Sequence, residues 1–188
     1  MALVNKPELT GGSWGINDIA VSNMISNIDP TYIVDFGCGL GKYSDMCKAT
    51  LKHPYDIIGI DGFQPTIDYL KQTDKYRDTI YGLIENEVNN FNGDLAIFGD
   101  VLEHLPKQTS FNIIDKAIET FKYVIIVIPL HDYPQGPSGG NVLEEHICSF
   151  EEYDFDRYNI IEKHIKSERS TDRTVTKMAI LIKHNYTH

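Results

Sequence analysis

The residues able to do chemistry fall in clusters along the chain. The stretch Ile33–Ser44, IVDFGCGLGKYS, carries an apolar run into Asp35 and then turns through Gly37, Gly39 and Gly41. Glycine lets main chain bend that sharply while leaving its surface bare enough for a ligand to lie against. A second apolar run, YDIIGID, ends in Asp61, about twenty residues beyond the turn, where a nucleotide-binding βαβ unit places an acid on ribose hydroxyls. A carboxylate suits that task because it accepts two hydrogen bonds from a vicinal diol. Further on, DLAIFGDVLEHL brings Asp100, Glu103 and His104 close to the end of another apolar run. Residues 129–150, PLHDYPQGPSGGNVLEEHICSF, then gather His131, Asp132, Tyr133, Gln135, Asn141, Glu144, Glu145 and His146. Histidine titrates near neutrality and is the natural base wherever a hydroxyl must lose a proton.

The elements that would hold these groups follow from periodicity. Ile16, Ala20, Met24 and Ile28 recur at helical spacing before the first strand, and Pro30 closes that helix. A helix from about Gly41 to Leu51 follows the glycine turn, buries Tyr43 and Cys47, and aims its N-terminus at the ligand. Pro65 opens the next helix, with Ile67 and Leu70 on its inner face. TIYGLI at 79–84 reads as a third strand and DLAIFG as a fourth. A helix over about 107–121 carries Phe111, Ile114, Ile118 and Phe121 as its apolar stripe, and KYVIIVI, stopped by Pro129, is the fifth strand. Strands alternating with helices predict an α/β fold with a parallel sheet, helices on both faces and ligands beyond the strands' C-terminal ends. The runs 158–166 and 174–184 are joined by SERSTDR with no room for a crossover helix, which predicts an antiparallel hairpin. Pro134 and Pro137 with Gly136, Gly139 and Gly140 fix the path of the loop over 131–150, and loops of this make-up at a sheet's mouth carry function.

Composition narrows the class. At 188 residues, 41% hydrophobic and 23% charged, the chain is sized for one domain, and no apolar run is long enough to cross a bilayer. The N-terminus lacks the basic and apolar regions of a secretory signal, so a cytoplasmic location is expected. Cys38, Cys47 and Cys148 form no metal-spaced pair and read as reduced core residues. A net charge of −10 argues against a polyanionic partner, because such binding relies on lysines and arginines. Arg157, Lys163, Lys166, Arg169 and Arg173 lie close in sequence and read as a solvated surface beside the hairpin.

The glycines run G-x-G-x-G behind an acid, not G-x-G-x-x-G, which argues against a nicotinamide site. With Asp35, Asp61 and the DVLEHL segment in that order, residues 13–150 resemble the class I S-adenosylmethionine-dependent methyltransferases. The resemblance implies a Rossmann-like seven-stranded, mostly parallel sheet whose last strand inserts antiparallel, in a single domain over 1–188. An N-terminal helical segment over 1–29 and an acceptor-site loop over 131–150 belong to it. It implies S-adenosylmethionine as cofactor and methyl transfer to oxygen or nitrogen of a small molecule, such as a sugar. A non-catalytic module that binds the same cofactor, and a methyltransferase acting on protein or nucleic acid, are the alternatives.

Residue by residue, the resemblance implies that Asp35 helps fix the methionine amino group, although an acid there also caps the turn. Gly37 and Gly39 let main chain approach the cofactor, and Gly41 serves packing. Asp61 grips the ribose and Phe63 lies against the adenine or in the core. Where many members place an acid for the adenine amino group, this chain has Leu83, so adenine would meet Leu83 and Ile84. Asp100 and the following segment lie over the methionine portion, and His104 and Glu103 either face the reacting centre or start a helix in solvent. Trp14 covers the cofactor or anchors packing. The loop is similar to that of a group of bacterial and viral methyltransferases sharing PQG and N-x-x-E-x-H. From it, His146 is the general base, Glu144 orients it, and Tyr133, Gln135 and Asn141 line the acceptor pocket; alternatively Glu144 and His146 only pin the loop. His131, Asp132, Glu144 and His146 are metal-ligand types, but their spacing does not support a site and no metal is assigned.

Overall fold

A computed structural model describes residues 15–169 and 173–184. In chain order it contains α1 (Asp18–Ile28), β1 (Tyr32–Phe36), α2 (Lys42–Thr50), β2 (Asp56–Asp61), α3 (Gln64–Leu70), β3 (Asp78–Tyr81) and α4 (Ile84–Glu87). Then come β4 (Gly93–Gly99), α5 (Lys107–Thr120), β5 (Phe121–Pro129), β6 (Ile160–Arg169) and β7 (Thr174–Lys183). The strands form one seven-stranded sheet in the order β3-β2-β1-β4-β5-β7-β6. β1 to β5 pair in parallel, and β7 runs antiparallel to both β5 and β6. This is the Rossmann-like architecture expected, including the inserted antiparallel strand. Among the described residues no helix is long and apolar enough to cross a membrane.

Strand order decides where a ligand fits. From β1 the chain works outward through β2 to β3, then returns to lay β4 on the other side of β1. The connections leaving β1 and β4 therefore diverge, opening a crevice beyond the strands' C-terminal ends.

Alternate side chains of each strand feed two apolar layers. Val34, Phe36, Ile58, Ile60, Ala96 and Phe98 face one layer with Ile113, Ile114 and Ala117 of α5. Ile33, Ile57, Leu95, Ile97 and Ile125 face the other with Val21, Met24 and Ile25 of α1 and Tyr43 and Cys47 of α2. Phe36 and Phe98, on adjacent strands, stack at 4.9 Å, with Phe121 edge-on to Phe36 at 6.1 Å.

Several boundaries differ from expectation. Phe121, assigned by its spacing to the helix stripe, is instead the first residue of β5, because α5 ends at Thr120. β3 ends at Tyr81, not at 84: the N–H of Gly82 turns to the Asp61 carbonyl, Leu83 caps α4, and Ile84 is buried as its first residue. The apolar run of β-formers concealed that turn. The hairpin strands reach Arg169 and Thr174, so less of SERSTDR is loop than its polarity suggested.

Asp35 is the anomaly of this core, being fully buried on β1. Its Oδ2 accepts a 2.7 Å hydrogen bond from the Tyr76 hydroxyl, and its Oδ1 has no hydrogen-bond partner. Burial pushes its carboxyl up to about 7, partly offset by the Tyr76 bond and reinforced by the Asp61 charge.

Phe36→Ala should lower stability by roughly 3–5 kcal/mol, read from urea unfolding; a loss below about 1 kcal/mol would contradict the stacked core. Between about pH 4 and 7 the folded chain keeps the Asp35 proton that the unfolded chain releases, so stability falls as pH rises through that window. Asparagine cannot ionise. Unfolding midpoints of Asp35→Asn relative to the parent should therefore climb from pH 4.5 to pH 7, whereas a difference independent of pH would refute the protonated acid.

Candidate active site

The crevice beyond β1 and β4 is a cavity of about 660 Å³, within the range of small-molecule sites. Its floor is the glycine turn. Gly37, Gly39 and Gly41 all have positive φ, and the N–H groups of Gly37 and Cys38 both donate to the Ile60 carbonyl, at 2.8 and 2.9 Å. A Cβ on Gly37 would stand 2.4 Å from Val101, whereas one on Gly39 would meet nothing within 4 Å and project from an open main chain. Gly41 is a packing glycine: its Cβ would strike Lys75 and approach Tyr76 and Leu70.

Asp61 ties the turn to the tip of β2. Its Oδ2 accepts from Gly39 N–H at 3.0 Å and its Oδ1 from Phe63 N–H at 2.8 Å. Each oxygen has a further lone pair, so the bridged carboxylate still offers two acceptor positions in the cavity it lines. Burial raises the Asp61 carboxyl, and those two hydrogen bonds counter the rise. Leu83, Ile84 and Glu85 form the adjoining wall, with Leu83 and Leu143 both packed close to Gly62.

At the tip of β4, Asp100 adopts a left-handed φ of 53° and its N–H donates to the Val127 carbonyl. Its Oδ1 lies 2.6 Å from Nζ of Lys177, a buried lysine of β7. A 3₁₀ turn, Leu102–His104, follows, held by Ser110 Oγ on the Leu102 carbonyl. It sets Glu103 in the cavity wall, 2% exposed, with Oε2 lacking a hydrogen-bond partner. Burial and the nearby Asp100 charge raise the Glu103 carboxyl well above the ordinary range.

The loop over 131–150 roofs the cavity. Its neck is closed by a bridge between Leu130 and Phe150, and its interior by Gln135 Nε2 on the Glu144 carbonyl and His146 N–H on the Gln135 carbonyl, both at 2.9 Å. The N–H groups of Ile147 and Cys148 donate to the Glu103 carbonyl, stitching the roof to the 3₁₀ turn. His104 Nδ1 lies 3.1 Å from the Glu145 carbonyl and His146 Nδ1 lies 2.7 Å from the Tyr133 carbonyl. With the proton assigned to Nδ1 in each ring, Nε2 carries the lone pair. Burial lowers both imidazoles, outweighing the carbonyl contacts, so each favours its neutral form.

Of the residues singled out in the sequence, Gly37, Gly39, Asp61, Leu83, Ile84, Asp100, His104, Tyr133, Gln135, Asn141, Glu144 and His146 all line this cavity. Asp35 and Phe63 do not. Asp35 is sealed in the core against Tyr76, and Phe63 begins α3 after its N–H turns to Asp61. Trp14 lies outside the described residues. Glu144 does not orient His146: the ring's neighbours are the Tyr133 carbonyl and Glu103 Oε1, the latter 3.9 Å from Nε2. Glu144 instead accepts from Asn141 Nδ2 at 3.4 Å, while Asn141 Oδ1 accepts from Leu143 N–H. Burial and the Asp61 charge push its carboxyl up to about 6. His131 bonds Glu151, and among the described residues His131, Asp132, Glu144 and His146 do not come together as a group of ligand atoms. Cys38 lines the cavity as a buried thiol held well above its usual range by burial.

Lys177 is the residue that sequence reasoning missed, and its signal was weak: one cation inside the apolar run of β7. Glu103, also singled out in the sequence, lines the cavity, as do Asp18, Lys42 and Glu85; among the described residues the six acids Asp18, Asp61, Glu85, Asp100, Glu103 and Glu144 stand against two lysines, Lys42 paired with Asp18 and Lys177 with Asp100. The lining is therefore acidic.

No protein-family model matches the chain, and no curated protein matches it. Solved structures do. The N-terminal domain of EvdMO1 with SAH (S-adenosylhomocysteine) bound has TM-score 0.65 at 8% identity, over 89% of this chain and 81% of that chain. TehB from Haemophilus influenzae has TM-score 0.69 at 18% identity, over 94% of this chain and 64% of that chain. Magnesium protoporphyrin IX methyltransferase from Synechocystis with bound SAM has TM-score 0.59 at 15% identity, over 86% of this chain and 75% of that chain. The likeness covers most of the chain and shows the architecture: this chain has the class I S-adenosylmethionine-dependent methyltransferase fold.

Proposed function

We propose that the protein is an S-adenosylmethionine-dependent methyltransferase acting on oxygen or nitrogen of a small molecule. The observation that carries this reading is the carboxylate of Asp61, bridged to the glycine turn at the strand-order switch, in a cavity whose lining is acidic. A sulfonium nucleoside with an amino acid tail needs those features: acceptors for a ribose diol, bare main chain beneath the sugar, and negative charge around two cationic centres. The SAH and SAM in the structural neighbours support the assignment. Leu83 and Ile84 offer apolar contact to the adenine, and Asp100, held by Lys177, adjoins the methionine end.

The methyl carbon is already activated by the sulfonium, so the protein's task is alignment and exclusion of water. The roof over 131–150, with Tyr133, Gln135 and Asn141 in the cavity wall, encloses the acceptor. A hydroxyl acceptor attacks the methyl carbon in line and the C–S bond breaks, its electrons staying on sulfur. The proton passes to Nε2 of His146, whose other nitrogen is held by the Tyr133 carbonyl. His104, ring to ring with His146 at 4.8 Å, helps keep that imidazole neutral and ready to accept. A roofed, acidic cavity also disfavours a nucleic acid acceptor.

Titration calorimetry with SAH separates the two roles. Asp61→Ala should weaken binding roughly 30-fold or more, since charge-assisted hydrogen bonds are worth about 1.5–3 kcal/mol each. His146→Ala should bind SAH within about twofold of the parent while methyl transfer from labelled cofactor falls about 10²–10⁴-fold. Equal loss of SAH binding in both variants would refute the division of labour.

A further inference from the structure

Glu103, His104 and His146 converge from the 3₁₀ turn and the roof, and one ligand atom from each lies within 4.8 Å of the others. We infer that these three side chains form a binding site for a first-row divalent transition cation, which holds the oxygen of a hydroxyl acceptor beside the methyl donor. The inference rests on the methyltransferase reading above and deepens it.

The donor set has the right chemistry. Two imidazole nitrogens and one carboxylate suit zinc, iron or manganese, and three protein ligands leave a position open for substrate. The surrounding hydrogen bonds are those a metal-ligating histidine needs: each Nδ1 faces a main-chain carbonyl, Glu145 for His104 and Tyr133 for His146, which fixes the ring and turns Nε2 into the ligating atom. Glu103 supplies an independent observation. Its carboxyl group is 2% exposed, lines the cavity, and carries an Oε2 with no hydrogen-bond partner, a costly arrangement that a cation taking the place of the carboxyl proton relieves. Bonds of about 2.0–2.2 Å place tetrahedral ligand atoms about 3.3 Å apart. The three side chains therefore need to close by up to about 1.5 Å, within reach of side-chain rotation.

Placed there, the cation takes over the task given to the free imidazole. A hydroxyl bound to it ionises near neutral pH, its proton leaving to solvent. The oxygen then attacks the methyl carbon, and the electrons of the broken C–S bond remain on sulfur. The acceptor class becomes an alcohol or phenol.

The test uses the full chain stripped with chelator and titrated calorimetrically with Zn²⁺ and, separately, with Mn²⁺. The expected result is 1:1 binding of at least one cation. It should be weakened at least tenfold in each of Glu103→Gln, His104→Ala and His146→Ala and unchanged in His131→Ala. SAH titration of the same samples reports on folding and on the cofactor reading independently. Variants that keep SAH binding but lose the cation support the site. A parent that binds SAH but neither cation at 1:1, or variants that bind the cation as the parent does, overturns the site and leaves the methyltransferase reading standing. A parent that binds a cation through these residues but not SAH keeps the cation site and overturns its placing beside a methyl donor.

Discussion

The hydrogen bond from Gly39 N–H to the Asp61 carboxylate joins two strand tips that would otherwise present separate loops. It depends on a left-handed main chain at Gly39 and on an acid at the last position of β2, and it works only because β1 and β2 are in register as parallel neighbours. The Ile60 carbonyl, accepting from Gly37 and Cys38, locks the same junction from the other side. Everything that lines the cavity is placed relative to this corner. β4 fixes Asp100 across the crevice, the 3₁₀ turn behind it fixes Glu103 and His104, and the roof is hung on Glu103's own carbonyl.

The electrostatics follow from the same arrangement. Packing acids at the tips of β2 and β4 and in the roof leaves a lining with acids in excess of lysines, and burial raises the carboxyls of two of them, Glu103 and Glu144, with the charges of Asp100 and Asp61 adding to the rise. Such a cavity is poorly matched to anions and well matched to cations. Lys177 tempers it at one point only, by pairing with Asp100, and does so from β7, the strand that inserts against the sheet's direction. That late strand thus reaches the site, which gives the antiparallel ending a role beyond covering the edge of β5.

The parts of this design that were legible in the sequence are those written locally. Glycines at alternate positions, an acid ending each of several apolar runs, and a polar run too short for a crossover each state their own geometry, and the sheet follows. Contacts made between distant segments were not legible. Asp35 stands two residues before Gly37 and looks like a ligand, but Tyr76, forty-one residues on, closes over it. Glu144 and His146 are close in sequence, yet the loop turns His146 toward Glu103 and the Tyr133 carbonyl. Glu103 beside His104 reads equally as a helix start, and only the roof's hydrogen bonds make it part of the wall. Lys177 lies inside an apolar strand, where nothing local marks its partner.

A crystal structure of the protein grown with S-adenosylhomocysteine tests the central claim most directly. The account predicts the nucleoside on the glycine turn, its ribose hydroxyls on the Asp61 carboxylate, its adenine beside Leu83 and Ile84, and its sulfur facing the Glu103–His146 wall. A vacant crevice at saturating ligand, or a nucleoside whose diol lies away from Asp61, would contradict it.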